Sequence, residues 1–289
     1  MRIVFSRKGF DSQYGGVPSP FLEGALIASL PIPSKHGREL TGLRRDAVLM
    51  DNLVSDLSGG RYGPKDTFHL DPDLDASACA RKSGWRPAFG QAGAAQTHLD
   101  RQGVGVGDTF LFFGWYRQAT RLRARWTYVP GAQDIHSLFG WLQVGDVISV
   151  SADGRAEASR FPWLAEHPHV EHAAAFQGSR NTIFLAADCL HLGGRMLALP
   201  GAGVFKRWSP RLQLTSRGCR RSIWRLPLWM APSAPKGTSL SYHLDPDRWR
   251  IEGTDALLQS VAKGQEFVMQ TGHAAEATTW LSKLIEEHA

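Results

Sequence analysis

The chain has 289 residues and a formal net charge of +6, with 43% hydrophobic and 21% charged residues. That balance excludes a charge-swollen disordered chain and supplies enough apolar mass for one large core or two closely packed lobes. The basic excess and the ten tryptophans point to a polyanionic partner, because guanidinium groups take phosphate bidentately and aromatic rings stack on bases; an ordinary basic enzyme is the alternative.

Cys79, Cys189 and Cys219 are far apart with no C-x-x-C spacing, which argues against a disulfide framework or a cysteine zinc site and fits a reducing cytoplasm. No leader pattern opens the chain, and no apolar run has the length of a membrane span, so the expectation is a cytoplasmic protein away from membranes.

Arg2 to Phe5 reads as a buried strand. It leads into Ser6-Arg7-Lys8-Gly9-Phe10-Asp11 and on to Gly16, a loop of basic, small and glycine residues of the kind that cradles phosphate with backbone N–H groups and cations. The pattern is neither G-x-G-x-x-G nor a Walker A loop, so a plain connection competes with a ligand loop. Prolines then mark extended backbone over 18–20 and 27–33. Leu43, Ala47, Leu49, Met50, Leu53 and Leu57 predict a helix over 41–56 that stops at Gly59-Gly60.

The stretch 68–117 holds the densest chemistry. His69-Leu70-Asp71-Pro72-Asp73 sets two carboxylates about a proline beside a histidine, a pattern suited to acid–base work or a divalent metal, with a turn cap as the alternative. Gln91, Gln96 and His98 follow among small residues and offer amide and imidazole groups that can read a base edge. His69, Asp71, Asp73, Gln91 and His98 are the candidate catalytic residues. His243-Leu244-Asp245-Pro246-Asp247 repeats the pentapeptide without matching flanks, which reads as coincidence.

Thr109 to Tyr116 is a continuous apolar strand, and 118–128 a hairpin in which Arg117, Arg121, Arg123 and Arg125 interleave with Trp115, Trp126 and Tyr128. A further strand pair is expected over 136–150. The pattern over 107–150 resembles the small β-barrel of PUA-like domains, whose members include modules that bind RNA or modified DNA bases. Glu166-His167-Pro168-His169-Val170-Glu171-His172 offers an H-x-H pair, but with no cysteine or H-E-x-x-H partner no metal ligands are assigned.

A second basic block runs from Lys206 to Arg225 around Trp208, Trp224 and Trp229 and includes Arg217. Segments 255–262 and 274–287 read as amphipathic helices, with 264–267 a break before a short strand. No linker separates independent domains.

Three stretches together resemble a bacterial and phage family, the nucleotide modification associated domain, type three: residues 1–20, the run "HLDPDL…FGQAGAAQTHL…GDTFLFFGWYR", and "RSIWRLPLWM" with "GQEFVM". The resemblance runs over nearly the whole chain and implies association with DNA base hypermodification, with phage defence and with partner modification enzymes; it carries no catalytic role. It makes Ser6, Arg7, Lys8, Gly9, Phe10 and Asp11 the ligand loop and His69, Asp71, Asp73, Gln91, Gln96 and His98 the reactive cluster; beside it, Gln96, Trp115, Arg217 and Trp224 are candidate substrate contacts from the residues themselves, the tryptophans by stacking. The expected fold is α+β: one domain over 1–289, a mixed or antiparallel sheet with a PUA-like β-barrel portion, and C-terminal helices. The expected function is DNA base or nucleotide modification, with a non-catalytic reader of modified bases as the alternative. DNA or a nucleotide is the expected partner, and no cofactor is named.

Overall fold

Thr109–Leu122 carries the strongest apolar run in the chain, and a strand apolar on every side must be covered on both faces. A computed structural model, which describes residues 1–46, 48–234 and 237–289, puts it at the centre of a mixed sheet, ten-stranded among those residues. On one side lies the opening strand Ile3–Arg7, parallel to it in the register Ile3 to Thr109 through Arg7 to Phe113. On the other lies Ile135–Ser149, antiparallel. Glu266–Gln270 and Ser239–Leu240 extend the first flank, and Asn181–Ala186 and Ala88–Ala92 the second.

The sheet curls strongly. Phe89, on the last strand of one flank, lies 5.1 and 5.2 Å by ring centroid from Phe110 and Phe112 of the central strand. Among the described residues no hydrogen-bonded ladder joins Ala88–Ala92 to Ser239–Leu240, so the sheet stays open. The helix Gly93–Arg101 lies at that seam, burying Gln96 and Leu99 and setting His98 Nε2 3.0 Å from Ser241 Oγ. One hydrophobic cluster, from Ile3 to Ile285, fills the curl and packs the C-terminal helix Ala274–Glu286 beneath it. A second, built on Phe10, Leu53, Val54 and Phe68, lies under the helix Met50–Leu57.

The mixed α+β architecture, with five helices among the described residues, is the coarse fold expected from the sequence. Three details differ. The helix expected over 41–56 is confined to Met50–Leu57, whose Met50, Leu53, Val54 and Leu57 alone keep helical spacing; upstream, Arg44–Arg45 pairs with Val48–Leu49, Arg45 is drawn to Asp75 at 2.7 Å, and Ala47 lies outside the described residues. The strand pair expected over 136–150 is a single strand whose two register shifts, at Leu138/Gly140 and Val144/Asp146, are bulges rather than turns. The helix expected over 255–262 is the strand Asp255–Gln259, because Gly253 at φ 61° allows a two-residue turn that pairs it back on Trp249–Glu252. No described helix is long and apolar enough to cross a membrane.

Candidate functional site

The strand Ala88–Ala92 carries chemistry on both faces. Outward lies Gly90, which has room for no side chain: a Cβ there would sit 2.2 Å from the His169 ring. Its N–H donates to Asp71 Oδ1 at 2.9 Å. Asp71 follows the strand Thr67–His69, and the short helix Pro168–Glu171 delivers His169, with His167 just before it. Three imidazoles thus surround one carboxylate: His69 Nε2 and His169 Nε2 each lie 3.5 Å from Asp71 Oδ2, and His167 Nε2 lies 3.8 Å from Oδ1.

Hydrogen bonds fix the ring orientations. The Asn181 amide nitrogen donates to the His169 carbonyl at 2.9 Å, which turns its Oδ1 to accept from His169 Nδ1 at 2.6 Å. His169 Nδ1 therefore carries hydrogen, and Nε2 faces Asp71. Phe176 stacks on the ring at 4.5 Å. His167 Nδ1 accepts from the His169 N–H at 3.3 Å, leaving Nε2–H as the donor, and that buried atom meets no partner among the described residues.

The electrostatics follow. Burial opposes ionisation of Asp71, but the facing His169 and His69 rings and the nearby His167 together outweigh it and hold the carboxyl below its ordinary range. Burial lowers His167 to about 3, outweighing the attraction of Asp71, so it is neutral at pH 7. His69, Asp71 and His169 each offer one ligand atom, and these atoms lie within 4.8 Å of one another. Two histidines and a carboxylate are a metal-ligand set as well as a proton-transfer set.

Asp73 is otherwise engaged. Arg81 clamps it bidentately at 2.6 Å and Trp85 Nε1 donates at 3.1 Å, so burial, which raises its pKa, is met by fixed partners. Gln91 faces inward and donates to Glu266 Oε1 at 2.5 Å, where Lys8 Nζ also lies at 2.8 Å. This network is buried, with Lys8 over the Phe89 ring at 4.6 Å and the Ser6 hydroxyl beneath it without a partner among the described residues. Gln96 donates to Asp100 at 2.8 Å, and burial lowers the pKa of His98, which bonds Ser241. The candidate catalytic residues therefore divide: His69 and Asp71 meet, Asp73 stands beside them on Arg81, and Gln91 and His98 belong to the other face of the strand and to the seam.

The expected ligand loop is mostly internal. Phe10 is fully buried on Tyr62 and Phe68, and Asp11 Oδ1 accepts from the N–H groups of Gln13 and Tyr14, both at 2.7 Å. Gly9, at φ +82°, passes close to the Leu30 carbonyl. Arg7 donates to the carbonyls of Ala262 and Val261 at 2.9 and 3.2 Å. Nearby, Trp115 donates to Asp134, Arg117 grips the same carboxylate, and Arg221 lies 4.2 Å over the Trp115 ring. Burial first, and mutual repulsion within the arginine group, lower the pKa values of Arg7 and Arg221 against the pull of Asp11 and, for Arg221, Asp134. Trp224 is fully buried and donates to His136 at 2.9 Å, so it presents no stacking face. Arg217 lines a separate cleft of about 890 Å³ with Trp208, Trp280, Gln133 and Lys283.

His167, His169, Asn181, Gly90 and Glu266 were not among the candidates taken from the sequence. The H-P-H spacing was the available signal for the histidines, but its carboxylate partner lies almost a hundred residues upstream in sequence and meets it only across the fold. The family model described as nucleotide modification associated domain 3 matches residues 2–270 of the chain. No curated protein matches it, and no solved structure does.

Proposed function

The chain belongs to the nucleotide modification associated domain 3 family, and on that premise we propose that it is an enzyme acting on a base of DNA or on a free nucleotide. One observation carries the reading: Asp71 is an ionised carboxylate enclosed by His69, His167 and His169, with side chains 5% exposed at Asp71 and 19% at His69. A buried titratable group perturbed by burial and specific partners beside a cleft is a candidate reactive centre, and small cavities line the 70–73 segment. In this reading His69 presents the cluster to substrate and exchanges the proton, the ionised Asp71 carboxylate orients the imidazoles and stabilises positive charge on them, and Arg7 and Arg221 supply charge for phosphate. The whole chain acts as one unit. Asp73, Gln91 and Lys8 support the architecture.

The test is to incubate the protein with duplex DNA, single-stranded DNA and free deoxynucleotides and to analyse the nucleosides by mass spectrometry. A new nucleoside that disappears with Asp71→Asn is the expected result; product formation by a folded Asp71→Asn protein refutes the assignment.

A second reading, a non-catalytic reader of modified bases, draws on the Arg217 cleft and on the PUA-like pattern of 107–150 within the curled sheet. Trp208 lines that cleft, and its buried indole N–H meets no acceptor among the described residues. If this reading holds, Arg217→Ala and Trp208→Ala weaken binding of oligonucleotides carrying modified bases while Asp71→Asn does not.

A further inference from the structure

We propose that His69, Asp71 and His169 hold one divalent transition-metal ion of the zinc, iron and cobalt class, the cofactor of the reactive centre described above; its catalytic role rests on that reading, its binding does not. Three geometric observations carry the inference.

The first is the distance from Asp71 Oδ2 to each Nε2, 3.5 Å in both cases. A charged hydrogen bond between carboxylate and imidazolium closes to about 2.7–2.9 Å. With metal–ligand bonds of about 2.0–2.2 Å, the edge of a tetrahedral site is about 3.3–3.5 Å. The two carboxylate–imidazole edges stand at the spacing of ligands about a common ion, and all three ligand atoms lie within 4.8 Å of one another.

The second is the anchored orientation of the His169 ring. Because its Nδ1–H is committed to Asn181, its Nε2 is the ring nitrogen that faces the Asp71 carboxylate. An imidazole anchored from behind by a side-chain oxygen is the usual arrangement of a metal-ligating histidine.

The third is the Nε2–H of His167, whose side chain is 4% exposed and which lies 3.8 Å from the far oxygen of Asp71 with no partner among the described residues. A buried donor costs free energy when it meets no acceptor, and an oxygen bound at the open position of the metal supplies one. Two imidazoles and one carboxylate favour a borderline transition ion over Mg²⁺ or Ca²⁺, which take oxygen ligands. Three protein ligands leave a position for water or substrate, the pattern of catalytic rather than structural sites. His36 and His172, with ring centroids 5.1 Å apart on neighbouring segments, are not part of the ligand set.

The experiment strips the full-length protein with chelator and titrates it with Co²⁺ and then Zn²⁺, following visible absorption and stoichiometry. One ion per chain is expected. His69→Ala and Asp71→Asn abolish that uptake, while His191→Ala, at an exposed histidine elsewhere, leaves it intact. Asn181→Ala, which removes only the anchor, weakens it about 10- to 100-fold. Circular dichroism shows that each variant is folded, and His69, the most exposed ligand, provides the variant least dependent on the core. No uptake, or uptake unchanged in folded His69→Ala and Asp71→Asn proteins, overturns the proposal. Stoichiometric uptake without any nucleoside product leaves the metal centre standing and removes the enzymatic reading. A product that depends on Asp71 in a protein taking up no metal removes the metal centre and keeps that reading.

Discussion

Gly90→Ala perturbs the cluster through one methyl group. The backbone there is ordinary extended strand, so the substitution brings no conformational penalty of its own. Its Cβ would stand 2.2, 2.5 and 2.8 Å from Cδ2, Cγ and Nε2 of His169. Carbon atoms pack at about 3.5–4.0 Å, so the ring must retreat by more than an ångström. Retreat breaks the 2.6 Å bond to Asn181 and carries Nε2 away from Asp71, or else the strand shifts and the Gly90 N–H leaves the carboxylate. Overpacking of this kind costs about 1–3 kcal/mol, and a misplacement of about 1 Å at a reactive centre costs about a hundredfold in rate. Thermal unfolding measures the first quantity; Co²⁺ affinity and nucleoside formation measure the second. The expected outcome is a folded protein, destabilised by several degrees and weakened at least tenfold in metal binding. If Gly90→Ala binds Co²⁺ as the parent does and unfolds at the same temperature, the His169 ring does not pack against Gly90.

Asp73→Asn, which loosens the Arg81 clamp, should lower stability by about 1–3 kcal/mol in urea unfolding yet leave Co²⁺ uptake intact; a loss of uptake would show that both carboxylates ligate. Lys8→Met leaves Glu266 buried without its cation and should cost about 3–5 kcal/mol, a loss that Glu266→Gln in the same chain largely recovers; equal stabilities of the single and double variants would refute the pairing. His243 protonates near pH 6.5 when unfolded, but burial lowers it to about 4 in the fold. Between those values the unfolded chain holds more protons, so stability is complete above about pH 6.5 and declines as pH falls, by on the order of 3 kcal/mol at pH 4. Urea midpoints against pH should show that slope, and it should shrink in His243→Gln; an unchanged slope assigns it to other groups. Arg217→Ala should weaken single-stranded oligonucleotide binding and lower its salt dependence by about one counterion, and identical salt slopes would take the cleft off the phosphate path.

Where one segment held its own signal, the sequence was informative. The strand around 109–116, the opening strand and the C-terminal helix each show a continuous apolar run or a helical stripe, and the fold keeps them. Segment 255–262 misled because Ala256, Leu257 and Leu258 suit a buried strand as well as a helix, and the turn at Gly253 decides between them. At the site, His69 and Asp71 were visible as neighbours in sequence. His167 and His169 join them from one short helix and the residue capping it, and Asn181 from a strand, two further elements that no local pattern links to 69–71. Lys8 and Arg7 read as free cations because composition shows charge but not the acceptors it meets: Glu266 for one and the carbonyls of Val261 and Ala262 for the other.

The two-sided strand Ala88–Ala92 has a consequence for sequence change over time. Phe89 and Gln91 serve the interior while Gly90 serves the histidine cluster. A single inserted or deleted residue there would exchange the faces, presenting a phenylalanine or glutamine to His169 and a glycine to Glu266. Two otherwise separate polar centres would fail at once. Length change is therefore forbidden in this strand, and drift along the lineage is confined to substitutions that respect a large–small–large alternation. The exposed tip of the 109–128 hairpin, at Arg123 and Ala124, carries no such coupling and is free to vary in length.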